Sequence, residues 1–274
     1  MTSLFGRSLH HAPAPTELLS ELIHCLSPDS INLPSLDVSG FLKALRQSRV
    51  LLILDGWEVV LGGDRAGCYR PGYELYGELL QRIGEGRHQS CLVITSREKP
   101  EEVTVLEGCT PLVKSWKLAG LGISAHEILR TKGLVEEPTE WEQLIRLYRG
   151  NPLALNVVST TIQEFFNSKV SDALKTTIIG IDPVNQAIAE RARFLSELER
   201  QLLGCLAQDG NPMSIDTLRP HLPQASYSEL VAALSSLDRR SLIEKEKCCD
   251  DGEVSFTLQP VVMKYFSRRS RTNA

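Results

Sequence analysis

The stretch Val50-Leu51-Leu52-Ile53-Leu54-Asp55-Gly56 decides the fold. Five aliphatic residues run without polar alternation and stop at an acid and a glycine. A strand with one wet face alternates apolar with polar residues. An unbroken run predicts a strand covered by helices on both faces, as in a parallel sheet. Working outward, the same texture returns at Cys91-Leu92-Val93-Ile94, which runs into Thr95-Ser96-Arg97, and more weakly over Leu112–Leu118. Between these runs lie helical faces. Leu18, Leu19, Leu22, Ile23 and Leu26 form one, within Glu17–Ser27. Val38, Phe41, Leu42 and Leu45 form the next, and a third covers Tyr73–Ile83 after the glycine-rich loop 62–72. Strands alternating with helices predict an α/β class.

From residue 124 the pattern is helical. Ser124 with Glu127 and Thr139 with Glu142 have capping-box spacing. Gly133 and Gly150 stand where helices stop, and Asn151-Pro152 reads as an N-cap and first helical residue. Ser196 and Glu199 cap a further helix, followed by a short one near Ser214–His221 and another over Ser228–Asp238. Ser241–Lys245 and Val254–Leu258 then flank a turn at Asp250-Asp251-Gly252. Three helices followed by a hairpin is the winged-helix order. The expected domains are α/β over 1–120, helical over 121–193 and winged-helix over 194–274.

The 274 residues are 42% hydrophobic and 23% charged, with a net charge of −4. That is a globular balance, and it excludes a strongly basic nucleic-acid or membrane-surface binder. No apolar run approaches the ~18–20 residues of a membrane helix, and the N-terminus has no secretory pattern. A cytoplasmic location is expected. The seven cysteines are irregularly spaced, Cys248–Cys249 being a vicinal pair read as loop. Neither disulfides nor a structural metal site is expected from such spacing.

Three short signals bear on chemistry. Asp55 ends an apolar parallel strand, where a carboxylate can hold Mg²⁺ beside a nucleotide phosphate. The plainer reading is that Asp opens a turn. Arg97 lies just past the second strand, where a guanidinium can reach a γ-phosphate. A surface ion pair is its plainer reading. Pro152 fixes a helix start, which is a complete structural explanation by itself.

Taken together, LLILDGWE (51–58), CLVITSREKP (91–100), LAGLGISAHEILRTKGL (118–134), GNPLAL (150–155), RRSLIEK (239–245) and FTLQPVVMKY (256–265) carry a resemblance. In order and spacing the chain resembles the NB-ARC nucleotide-binding domain of STAND signalling NTPases, in the bacterial form that precedes WD-repeat propellers. The resemblance implies an incomplete P-loop-NTPase-like parallel sheet, then a helical (ARC1-like) and a winged-helix domain. It implies ADP or ATP with Mg²⁺ as cofactors. Asp55 would hold the metal, Arg97 would sense phosphate, and Pro152 would pack on adenine. Gln259 would fall in the His-containing segment that contacts the ADP phosphates. Leu4–Leu9 would take the place of the family's second strand.

The sequence departs from that pattern at three points. It contains no G-x-x-x-x-G-K-[ST] motif, whose backbone N–H groups and lysine cradle phosphates. Gly56 follows Asp55 where many members have a second acid or Asn, and Gln259 stands in place of His. The strand that lies in the family between the two apolar runs would also be lacking, so Val50–Leu54 and Cys91–Thr95 should pair directly or leave open edges. The expectation is a signal-transduction switch module whose nucleotide function is impaired or degenerate, with negligible turnover and no assigned catalytic residue. The alternatives are a scaffold that binds no nucleotide and a winged-helix DNA-binding regulator. Against the last, residues 196–274 contain 10 basic and 11 acidic residues, little with which to neutralise phosphates. Expected partners are proteins, or self-association through the nucleotide domain, with a WD-repeat effector encoded elsewhere. No membrane and no nucleic acid are expected.

Overall fold

The computed structural model describes residues 2–26, 37–62, 65–175, 182–247 and 253–272. It divides into two compact units. The first holds residues 1–116 with Arg239–Ser241, and the second holds 117–238 and 242–274.

In the first unit the elements alternate as β1 (Thr2–Ser8), α1 (Pro15–Leu26), α2 (Val38–Gln47), β2 (Arg49–Asp55), α3 (Leu75–Glu85), β3 (Cys91–Ile94) and α4 (Glu101–Cys109). The sheet is parallel in the order β1-β2-β3. Leu4 pairs with Leu51 and Gly6 with Ile53, while Leu51 pairs with Cys91 and Ile53 with Val93. The two apolar runs therefore lie side by side. The Ser90 hydroxyl fixes their start by accepting from the Val50 N–H at 3.1 Å and donating to the Ser48 carbonyl at 2.9 Å.

One face of this sheet is packed. Val50, Leu52 and Leu54 are buried. Leu52 and Leu54 meet Leu18, Leu22 and Ile23 of α1, Phe41 and Leu45 of α2, and Leu79 and Ile83 of α3 in one core. The other face is not, which corrects the expectation of helices on both sides. Leu51 and Ile53 are only half-buried, Leu4 is 70% exposed and Val93 is 42% exposed. An unbroken aliphatic run looks the same whether one or two helical layers cover it.

Leu112–Leu118 is the second correction, because it forms no strand. No ladder holds it. Val113 packs on the core, the Ser115 N–H is bound by the Glu107 carboxylate, and Leu112, Trp116 and Leu118 are 84%, 79% and 91% exposed.

The second unit is mostly helical: α5 (Ala125–Thr131), α6 (Pro138–Leu147), α7 (Pro152–Phe165), α8 (Val170–Lys175), α9 (Asp182–Ala192), α10 (Glu197–Asp209), α11 (Ile215–Leu218) and α12 (Tyr227–Arg239). The antiparallel pair β4 (Glu244–Lys247) and β5 (Val254–Thr257) follows, then α13 (Pro260–Thr272). Met213 exchanges two backbone hydrogen bonds with Phe256, at 2.9 and 2.8 Å, which adds a third rung beside the hairpin. Trp141, Leu155, Leu202, Leu234 and Phe256 belong to a single core. The expected Asp250–Gly252 turn and Cys248–Cys249 lie outside the described residues, as does Ser27.

Of the three capping boxes expected, Ser196 with Glu199 is formed in both directions. Ser124 is not a side-chain cap, because a preceding turn already gives the first N–H groups the carbonyls of Gly122, Ile123 and Ser124. Thr139 is displaced into the first turn by Pro138, which starts α6 two residues earlier, with Glu137 at the N-cap.

Candidate functional site

In the first unit, the polar residues gather at the carboxyl end of the parallel strands, where α/β sheets bind ligands. Ser8 and Asp55 are paired in register, and Thr95 follows β3 with its N–H on the Leu54 carbonyl at 3.1 Å. The Thr95 hydroxyl donates to Asp55 Oδ1 at 2.5 Å and accepts from the Gly56 N–H at 3.1 Å. Gly56 turns the chain in the left-handed region, φ 83°, and a side chain there would sit 3.4 Å from His10 Nδ1.

The next residue is an anchor. Trp57 is fully buried, its ring edge-on to Tyr76 at 5.2 Å, and its N–H meets the Thr95 carbonyl at 2.9 Å. Its indole N–H donates to the Tyr69 hydroxyl at 3.4 Å, which donates to Glu102 at 3.3 Å. Burial, and then the charge of Glu102, push the Tyr69 phenol far above its ordinary range. This fixed tryptophan presents Glu58 to Arg97. Glu58 Oε1 lies 3.2 Å from Arg97 Nε, and Oε2 accepts the Arg97 backbone N–H at 3.3 Å.

Past Arg97 the chain is tied down. Glu98 accepts the Gly67 N–H at 2.6 Å and pairs with Arg240 at 3.2 Å, Arg240 being only 2% exposed. Beside it the Lys99 N–H bonds the Arg239 carbonyl at 3.1 Å.

The second unit holds the other two expected positions. Asn151 caps α7 by accepting the Ala154 N–H at 3.1 Å, with Pro152 first in the helix and exposed. The turn before it has two consecutive left-handed residues, Arg149 (φ 51°) and Gly150 (φ 64°). It is clasped by the segment around Gly120. The Leu121 N–H bonds the Gly150 carbonyl at 2.8 Å, and a Cβ on Gly120 would fall 1.7 Å from the Arg149 carbonyl oxygen. Arg149 pairs with Glu244 at 3.0 Å, and Gln259 donates to the same carboxylate at 3.1 Å. Glu244 thus joins Gln259 to the turn that opens the Pro152 helix.

Asp55 and Arg97 therefore share one strand edge, and Pro152 and Gln259 share one polar relay. Sequence reasoning had not assigned Thr95, Glu58 or Glu244. The available signal was position, since Thr95, Glu58 and Glu244 all lie inside the motifs that carry the resemblance.

A Mg²⁺ ion takes one or two carboxylates and completes its octahedron with phosphate oxygens and water. Asp55, flanked on its rung by the Ser8 and Thr95 hydroxyls, fits that single-carboxylate role. Among the described residues no group of three His, Cys, Asp or Glu could hold a metal alone. The five described cysteines are free thiols. No described helix is long and apolar enough to cross a membrane.

No family model matches the chain. It is 40% identical over 275 residues to an uncharacterized WD repeat-containing protein of Nostoc sp.. That match covers 96% of this chain, which spans about a fifth (21%) of the relative's length. Among solved structures, the Walker-type ATPase of Pyrococcus abyssi superposes with a TM-score of 0.61 at 17% identity, covering 96% of this chain and 84% of that one. The fold is similar to that of a Walker-type ATPase: a parallel sheet with helices, followed by further helical structure.

Proposed function

We propose that these residues form the core of an NB-ARC-like, STAND-type switch module that recognises adenine nucleotides weakly within this stretch and works mainly through protein contacts. The observation that carries this reading is the state of the two phosphate-side groups. Asp55 is engaged by Thr95, and Arg97 is held by Glu58. Mg²⁺ at Asp55 competes with the Thr95 hydrogen bond and a phosphate at Arg97 competes with Glu58, and no Gly-Lys loop in this sequence offers compensating N–H groups. With nucleotide present, Asp55 would hold Mg²⁺, Arg97 would meet the terminal phosphate, and Pro152 would offer its exposed ring to the base. Gln259 would act through Glu244 and Arg149 on the turn before Pro152. We divide the module at 1–120, 121–193 and 194–274, the last being a winged helix, and place it in the cytoplasm. That the Nostoc relative is a WD repeat-containing protein supports a WD-repeat effector as the partner.

Calorimetry with MgATP and MgADP on this chain tests the reading. Binding should be absent or weaker than about millimolar, near −4 kcal/mol. Micromolar affinity lost in both Asp55→Ala and Arg97→Ala would overturn it. A DNA-binding role for the winged helix has less support. The exposed residues along α12 include Tyr227, Ser228, Glu229, Val231 and Ser235, and its sole basic residue is Arg239 in the last turn.

A further inference from the structure

We infer that His10 is a second protein ligand to the ion that Asp55 holds, and that it makes this a position for a divalent transition ion of the Ni²⁺ or Co²⁺ type in preference to Mg²⁺. The inference rests on the reading of Asp55 as the metal-binding carboxylate.

The backbone brings the two residues together. Past the Ser8–Asp55 rung the ladder gains one more bond, from the Leu9 N–H to the Asp55 carbonyl at 2.8 Å. Leu9 is fully buried, and the Ala12 N–H closes on its carbonyl at 2.7 Å. The Tyr73 and Tyr76 hydroxyls donate to the Ala12 and Pro13 carbonyls, each at 2.9 Å. His10 thus stands on a short turn pinned on both sides. Its own residue is exposed, and its ring has no hydrogen-bond or ion-pair partner among the described residues.

That ring faces the turn after β2. A Cβ built on Gly56 would lie 3.4 Å from His10 Nδ1 and 3.6 Å from its Cε1. One further C–C bond puts Nδ1 within about 5 Å of the Gly56 Cα, and Gly56 is bonded to Asp55. Thr95 supports the carboxylate from the other side. Its hydroxyl donates to Asp55 Oδ1, as outer-shell partners of metal ligands do, and no described residue binds Oδ2. An unengaged carboxylate oxygen and an unengaged imidazole nitrogen, each on a short side chain, can close on one ion ~2.0–2.2 Å from both. Water or phosphate oxygens complete its shell.

Donor chemistry selects the ion. Mg²⁺ is hard, takes oxygen ligands and gives up its waters reluctantly. An imidazole nitrogen adds little for Mg²⁺ and much for the later divalent ions, whose affinity for mixed nitrogen and oxygen sites climbs towards Ni²⁺ and Cu²⁺. A carboxylate alone would leave the position to Mg²⁺. With His10 beside it, the same carboxylate favours the later ions.

The test is titration calorimetry of the full chain with NiCl₂ and with MgCl₂, without nucleotide. Ni²⁺ should bind saturably and more tightly than Mg²⁺. His10→Gln should weaken Ni²⁺ by about tenfold or more and change Mg²⁺ by less than about twofold. Asp55→Asn, which keeps an acceptor for Thr95, should weaken both ions. His11→Gln should alter neither. X-ray absorption at the nickel edge should show imidazole scattering in the unaltered chain and in His11→Gln, and lose it in His10→Gln. Ni²⁺ binding untouched by His10→Gln, or surviving Asp55→Asn, would overturn the proposal. So would an equal loss of Ni²⁺ and Mg²⁺ in His10→Gln, because the residue would then only shape the turn. A loss in His11→Gln as large as in His10→Gln would show an adventitious ion only. If neither ion binds, the reading of Asp55 fails together with this one. If Mg²⁺ binds through Asp55 and Ni²⁺ ignores His10, this one fails alone.

Discussion

Glu58 sets what Arg97 can do. Its carboxylate engages both the guanidinium and the backbone N–H of Arg97, so an anion competes with a charge already in place. The pair is solvent-facing on the arginine side, and exposed pairs are worth about 0–1 kcal/mol. Glu58→Gln should therefore raise the affinity for inorganic pyrophosphate by about two- to fivefold, measured by titration calorimetry at low salt. Arg97→Ala in the same background should cancel the gain. Asp55 and Arg97 were legible in the sequence because strand ends in α/β sheets are where ligand groups collect. Their neighbours Thr95 and Glu58 were not. Which side chain meets Asp55 depends on the register of β2 against β3, and which meets Arg97 depends on a left-handed turn at Gly56 and a buried Trp57.

At the scale of elements, α7 was readable down to its cap, since Asn-Pro carries its own geometry. The clasp that holds its start was not, because Gly120 and Gly150 are distant in sequence and meet only through tertiary packing. Gly120→Ala would drive a methyl into the Arg149 carbonyl. The expected cost is on the order of 3 kcal/mol or more, seen as a lower midpoint in urea unfolding. Asp238 offers a pH test. Partial burial pushes its carboxyl up, but Lys245 at 2.7 Å, with Lys117 at 3.4 Å, outweighs this and holds it below its ordinary value. A folded value below the unfolded one stabilises above the unfolded pKa, ~3.9, and is lost as pH falls through the folded value. The melting temperature should fall over that acid range. Asp238→Asn should flatten this part of the profile and cost about 0.5–1 kcal/mol at neutral pH. The sheet shows the opposite limit of legibility. Strands β2 and β3 were evident from their apolar runs and β1 only through the resemblance, but how many faces are covered depends on which helices are present to cover them.

For the whole molecule, two separate cores mean that the chain between them is the first place for a protease. Trp116 and Leu118 are largely exposed in a segment that belongs to no helix or strand. Dilute chymotrypsin should cut there before elsewhere among the described residues, giving two fragments by mass spectrometry. A weak apolar run read as a strand is thus expected to be a cleavage site, because strand propensity is a tendency that only a neighbouring strand can realise. The same two-unit division has a temporal side. Glu98 is made early, while Arg240, its buried partner, comes after the whole stretch 117–238. At ~5–20 residues per second, synthesis of that stretch takes roughly six to twenty-five seconds. Throughout that interval the nascent first unit holds its glutamate without the arginine. Its packing is completed only when the tripeptide 239–241, made after the whole of that stretch, leaves the ribosome.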